Sequence, residues 1–200
     1  MRGMPRKGVL PGVVLAVVSA AWGCGPQGPA SPEAGAAAPQ PAEVEPGDPT
    51  ILRRPFTAEQ IRDEWVEGLT LVLVRTTPEG RTQQRWTVVS ADADGTEIEY
   101  AILDPAGSPT GEVKVERSSW VELRDHASFP VGHSRRERAT RETALGTLEG
   151  WVYTVEDPAD GTVNELFFAG SLPGAPVLMS MSRGGVIAAR MEMVERRRPQ

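Results

Sequence analysis

From Gly68 onward the large apolar residues recur at every second position, and this period of two calls for a sheet of strands rather than a bundle of helices. Leu69, Leu71 and Leu73 alternate with Thr70, Val72 and Val74. Turn-forming clusters then punctuate the chain. Pro78-Glu79-Gly80 precedes Gln84 to Val89, Asp92-Ala93-Asp94-Gly95 precedes Thr96 to Leu103, and Pro105 to Gly111 precedes Val113-Lys114-Val115. Leu148 to Glu156, Val163 to Ala169, Val177 to Ser182 and Val186 to Val194 are further strand candidates. Their short connections leave no room for crossovers, so neighbours pair antiparallel.

Two segments break the period. Thr57 stands three residues before Gln60, and Ser119 three before Glu122, the spacing of a capping box in which a hydroxyl and a carboxyl or amide satisfy free amide donors. Ile61 and Trp65, and then Trp120, Leu123 and Ala127, fall three or four apart on one helical face. Short helices are expected over residues 58–67 and from Trp120 to the break at Phe129-Pro130. The fold class is therefore mainly β (α+β), an antiparallel sheet with one or two short helices. In the last hairpin, a three-residue loop Gly184-Gly185-Val186 sets Met179 opposite Met191, Val177 opposite Met193 and Met181 opposite Ala189. A two-residue loop sets Met179 opposite Arg190 and splits that apolar face, so burial favours the odd loop.

Residues 1–23 join a basic start (Arg2, Arg6, Lys7) to an apolar run and small residues ahead of Cys24, the only cysteine. The run contains Pro11 and falls short of the ~18–20 residues that cross a hydrocarbon core as a helix. It resembles the signal peptide and lipobox of bacterial lipoproteins, with Ala21 and Trp22 where that family usually carries Leu and a small residue. The resemblance implies acyl chains on Cys24 and attachment to membrane through them. With Gly25 rather than Asp after the cysteine, it implies the outer membrane, facing the periplasm. Ordinary cleavage after Ala20 or Ala21 is the alternative, giving a secreted or periplasmic protein with a free thiol. With one cysteine no internal disulfide can form, so the exported fold rests on core packing.

Residues 25–50 hold 7 Pro, 6 Ala and 4 Gly among 26, no aromatic, and Val44 as the one aliphatic residue larger than Ala. Such a segment, with Cys24, is expected to form a disordered linker over residues 24–50. Residues 51–195, which carry four of the five Trp, both Tyr and all four Phe, form one domain, and residues 196–200 a fraying tail. Removal of residues 1–23 takes the basic residues from 21 to 18 against 27 acidic, a net charge of about −9. That balance argues against a nucleic-acid partner.

Gly146-Thr147-Leu148-Glu149-Gly150-Trp151-Val152-Tyr153-Thr154, then Glu165-Leu166-Phe167-Phe168-Ala169, then Leu172-Pro173-Gly174-Ala175-Pro176-Val177 resemble the strand grammar of exported bacterial half-barrel domains, the group of the periplasmic lipoprotein carrier and its outer-membrane receptor. The resemblance, over residues 143–194, implies a curved antiparallel sheet, or half-barrel, wrapped around helices and able to hold acyl chains. No functional residue of that group matches a position here. The aromatic and Met residues read first as core. If the sheet is incompletely filled, Trp86, Tyr100, Trp151, Phe167, Met179 and Met191 are the candidates to line a cavity.

No catalytic constellation stands out. His126 and His133 fit no metal pattern, Gly132-His133-Ser134 lacks the second glycine of a nucleophile elbow, and Asp125, His126 and Ser128 are too close in sequence to indicate a triad. Glu97 and Glu99 read as a solvated strand face, as do Arg135, Arg136, Arg138 and Arg141. No cofactor or metal is expected. The leading reading is a non-enzymatic envelope lipoprotein binding an apolar ligand or another envelope protein. A structural or protein-interaction module with a filled core is the alternative, and a hydrolase built from dispersed acids and His126 a third.

Overall fold

The computed structural model describes residues 43–199. Cys24, the signal-like segment and most of the expected linker lie outside the described residues. The chain forms β1 (Val44–Glu45), β2 (Asp48–Leu52), α1 (Ala58–Glu64), β3 (Thr70–Thr77), β4 (Gly80–Ala91), β5 (Gly95–Leu103), β6 (Pro109–Ser119), α2 (Trp120–Asp125), a 3-10 turn (Val131–His133), β7 (Ser134–Thr143), β8 (Gly146–Asp157), β9 (Thr162–Ala169), β10 (Leu178–Arg183) and β11 (Val186–Arg197). Strands β3 to β11 make one curved antiparallel sheet in the order β6-β5-β4-β3-β11-β10-β9-β8-β7. Two meanders are thus joined by β11 lying beside β3. The sheet does not close, and no helix among the described residues is long and apolar enough to cross a membrane.

Both capping boxes form. Thr57 Oγ1 accepts from Gln60 N at 3.2 Å while Gln60 Oε1 accepts from Thr57 N at 2.9 Å, and Ser119 and Glu122 repeat the exchange at the start of α2. α1 ends at Glu64, earlier than its periodicity suggested, because Trp65 leaves helical geometry and sends its indole N–H to Pro173 O at 2.9 Å. Ile61 from α1, Trp65 just past its end, and Trp120 from α2 pack on the inner face of the sheet with Leu71, Leu73, Ile98, Phe168 and Met193. The other face carries its own apolar row. Register places Val74, Glu192, Leu178, Phe167 and Val152 side by side across five strands, and Ala144 N donates to Glu192 Oε1 at 3.0 Å, tying the β7–β8 turn to that row.

Three expectations need correction. The last hairpin turns on two residues, with Arg183 paired to Val186 and Ser182 to Ile187, yet Met181 pairs with Ala189 and Met179 with Met191. Ala188 is an extra residue that restores the register burial demanded. The β-bulge, not the loop, absorbed the odd residue. The end of the expected linker is ordered, because β1 pairs with β2, Arg54 N donates to Glu45 Oε2 at 2.7 Å, and fully buried Leu52 donates its N–H to Phe129 O at 2.8 Å. The expected fraying tail is strand as far as Arg197, where Arg196 pairs with Leu71 and reaches Glu64 Oε2 at 2.7 Å. Burial pushes the Glu64 carboxyl up, but Arg196 and Arg198 outweigh it and hold it below its ordinary value. Arg196→Ala is expected to cost about 1 kcal/mol in urea unfolding, with the loss shrinking in high salt.

Candidate functional site

A cavity of about 310 Å³ opens between the two helices and the inner face of the sheet. β4 and β5 contribute Trp86 and Tyr100, directly paired and packed edge to face with ring centroids 5.4 Å apart. β10 and β11 contribute Met179 and Met191, also directly paired. Ile61 of α1, Trp65 just past its end, Leu123 of α2 and the loop Gly174-Ala175-Pro176 complete the wall. Two Met side chains facing two aromatic rings make a lining that adapts to irregular apolar shapes.

Few polar groups interrupt this lining. Burial, helped by the Glu116 charge, pushes the Tyr100 hydroxyl above its ordinary pKa, so it stays neutral across the working pH range. His126 caps α2 at the cavity rim, exposed. Trp86 Nε1 is buried with no hydrogen-bond partner, a loss of about 1–3 kcal/mol. By contrast Trp65 Nε1 is satisfied by Pro173 O, and the turn that supplies this carbonyl needs a glycine. Gly174 has φ +120°, and a Cβ there would lie 2.1 Å from Trp65 Nε1. Larger surface grooves, of about 610, 590, 430 and 360 Å³, are broad and lined with charged and hydroxyl groups such as Arg138, Glu149, Arg81, Arg190, Arg85 and Arg197, so they lack the enclosed apolar walls of a ligand pocket.

Of the six residues singled out in the sequence, Trp86, Tyr100, Met179 and Met191 meet at the cavity, and Trp151 and Phe167 do not. Trp151 lies on the inner face but is covered by Arg136, whose guanidinium sits 4.8 Å from the ring centroid, and its edge borders the groove by Gly170. Phe167 points to the other face and is 2% exposed. Adjacent aromatics in one strand must face opposite ways, so Phe168, not Phe167, reaches the cavity. Leu166 joins it for the same reason.

Arg136 is no solvated strand residue. It donates through Nε to Tyr153 Oη at 2.9 Å and pairs with Glu43, and Tyr153 Oη in turn donates to Arg53 O at 2.6 Å. This chain of contacts clasps the residues that follow the linker onto β7 and β8. The acids elsewhere are structural too. Asp125 pairs with Arg54 and Arg124, Ser128 Oγ accepts from Arg54 Nε, Glu99 pairs with Arg85, and Glu97 accepts from Ser90 Oγ. Among the described residues no group of three or more His, Cys, Asp or Glu is placed to hold a metal ion.

No family model and no curated protein matches the chain. Similar solved structures include a chain of the MucA/MucB complex of Pseudomonas aeruginosa, at 13% identity and TM-score 0.47 over 70% of this chain and 54% of that one. They also include a Bacteroides fragilis protein of YmcC-like fold, at 11% identity and TM-score 0.42 over 66% of this chain and 96% of that one. A hypothetical protein of Chlamydia trachomatis matches at 10% identity and TM-score 0.41 over 71% of this chain and 92% of that one. This chain therefore spans about half the length of the MucA/MucB chain it matches.

Proposed function

We propose that this protein is a non-enzymatic lipoprotein of the bacterial cell envelope, held to the outer membrane by acyl chains on Cys24, whose sheet and helices receive an acyl chain in the cavity between them. The observation that supports this most is the cavity itself: about 310 Å³, walled by Trp86, Tyr100, Met179 and Met191. At ~0.8 kcal/mol per buried methylene, eight methylenes are worth roughly 6 kcal/mol, which corresponds to binding in the tens of micromolar.

Trp65 and Trp86 report on occupancy directly. Titration of the purified protein with a dibrominated stearate is expected to quench tryptophan emission saturably in the tens of micromolar. Ala175→Phe, which places a ring in the cavity, should weaken that binding at least tenfold while thermal melting stays cooperative. Unsaturable quenching, or equal quenching of both proteins, would remove the ligand reading. The anchor is tested separately: alkyne-palmitate should label the parent and not Cys24→Ser, which should leave the membrane fraction.

A further inference from the structure

Strand β6 pairs with β5 on one side and, among the described residues, with nothing on the other. It is 11 residues long, and Pro109 to Arg117 are all exposed, including Val113 and Val115 at 39% and 54%. A bare edge of this length is a template for another strand, which proteins ordinarily blunt with charges, Lys above all. Lys114, the one lysine beyond residue 7, sits in the middle of this edge, with Glu116 on the same face, while opposite residues 111–113 the pairing with β5 slips. Whether these charges block pairing depends on what they meet.

We propose that β6 pairs antiparallel with β6 of a second copy, with Val115 on the two-fold axis. An axis perpendicular to a sheet keeps each side chain on its own face, so it can pass only through a residue pair. Three central registers then compete. With the axis through Lys114, lysine faces lysine. With the axis through Glu116, glutamate faces glutamate. With the axis through Val115, Lys114 faces Glu116 twice on one face, while Val115 faces itself and Val113 lies beside the Arg117 stem on the other. Of these three, only this register brings opposite charges together and avoids like ones, and an axis through Val113 would fall in the irregular stretch beside Gly111, where the pairing with β5 slips between Tyr100 and Ile102. Within one copy Lys114 and Glu116 already contact each other, so pairing exchanges an internal contact for two across the axis. One strand edge buries less than the ~800 Å² per partner of a standard interface, which makes the association a weak one that crowding on a membrane strengthens.

Cysteine cross-linking in cells tests the register on the full chain. Val115→Cys places two sulfurs on the axis, within the ~4–7 Å Cα separation a disulfide requires. Val113→Cys places them four residues apart along the strands, roughly 13 Å, out of reach. Mild oxidation should give a disulfide-linked dimer with Val115→Cys and at least tenfold less with Val113→Cys or the parent. Adding Lys114→Glu or Glu116→Lys to Val115→Cys should each reduce the dimer at least fivefold. The double swap should restore it, as should co-expressing the two single swaps, since each copy then meets its opposite. Equal cross-linking at positions 113 and 115, no dimer with Val115→Cys, or no rescue by the exchanged charges would each overturn the pairing. Circular dichroism of each variant separates these outcomes from misfolding.

Discussion

Gly174→Ala is expected to destabilise the domain by at least ~3 kcal/mol, measured as the shift in urea unfolding at constant m-value. Two effects act together. A φ of +120° is strained for any residue with a Cβ, and the new methyl would lie 2.1 Å from Trp65 Nε1 and 2.6 Å from Cε2, far inside contact distance. The ring cannot retreat cheaply, because Trp65 is 4% exposed and its N–H is engaged by Pro173 O. Relief should therefore come from the indole rather than the turn. In the background of Trp65→Leu, which removes the bulk that the methyl meets, Gly174→Ala should cost at least 1 kcal/mol less than it does alone. An equal cost in both backgrounds would assign the whole effect to backbone strain. A cost under 1 kcal/mol in the parent would show that the turn is not held against the indole. Because this turn forms one wall of the cavity, the same substitution should also weaken stearate binding.

Tyr153→Phe should cost about 2–3 kcal/mol, since it deletes a single oxygen that two partners use. Tyr153 is fully buried, and its hydroxyl accepts from Arg136 Nε and donates to Arg53 O, so its loss leaves both partners short of a bond inside the clasp. The loss should appear both in urea unfolding and as faster proteolysis near Arg53 and Arg54, where β2 would loosen. The same residue predicts alkaline behaviour. Burial drives the Tyr153 pKa up to about 12, against partial opposition from Arg136, while the unfolded chain keeps the ordinary value near 10. The folded state thus prefers the protonated phenol. Its stabilisation is complete below pH 10 and is lost as pH rises from about 10 to 12, at a limiting slope of ~1.4 kcal/mol per pH unit. In Tyr153→Phe that component of the slope should vanish. A parent and variant that lose stability in parallel above pH 10 would rule out Tyr153 as its source.

Local order was largely legible in the sequence. The capping boxes at Thr57 and Ser119, the alternating strands and the turn clusters all depend on residues within a few positions of one another, and each of these elements formed. The pairing of Met179 with Met191 was legible as well, because only that register collects the apolar side chains on one face. The way it is achieved was not. A loop of three and a loop of two with a bulge at Ala188 bury the same residues, so no local pattern separates them. The cavity residues divided along the same line. Trp86, Tyr100, Met179 and Met191 could be named from hydrophobicity and alternation, whereas Phe167 was confused with its neighbour Phe168, since both faces of β9 are apolar and periodicity alone does not say which one faces the helices. Trp151 was misplaced because its cover, Arg136, comes from the adjoining strand and looks like a surface residue in the sequence.

What the sequence determined by itself is therefore the set of elements, their antiparallel sense and the apolar stripe that each must bury, because backbone sterics, capping and side-chain alternation act over a few residues. The tertiary structure alone decided that β11 would lie beside β3, that Glu43, Glu45 and Arg136 would clasp the start of the domain, and that the space above Met179 and Met191 would stay open. Those outcomes depend on sheet curvature and on contacts between residues as far apart as Glu43 and Arg136, where the energy of packing, not local preference, selects the arrangement.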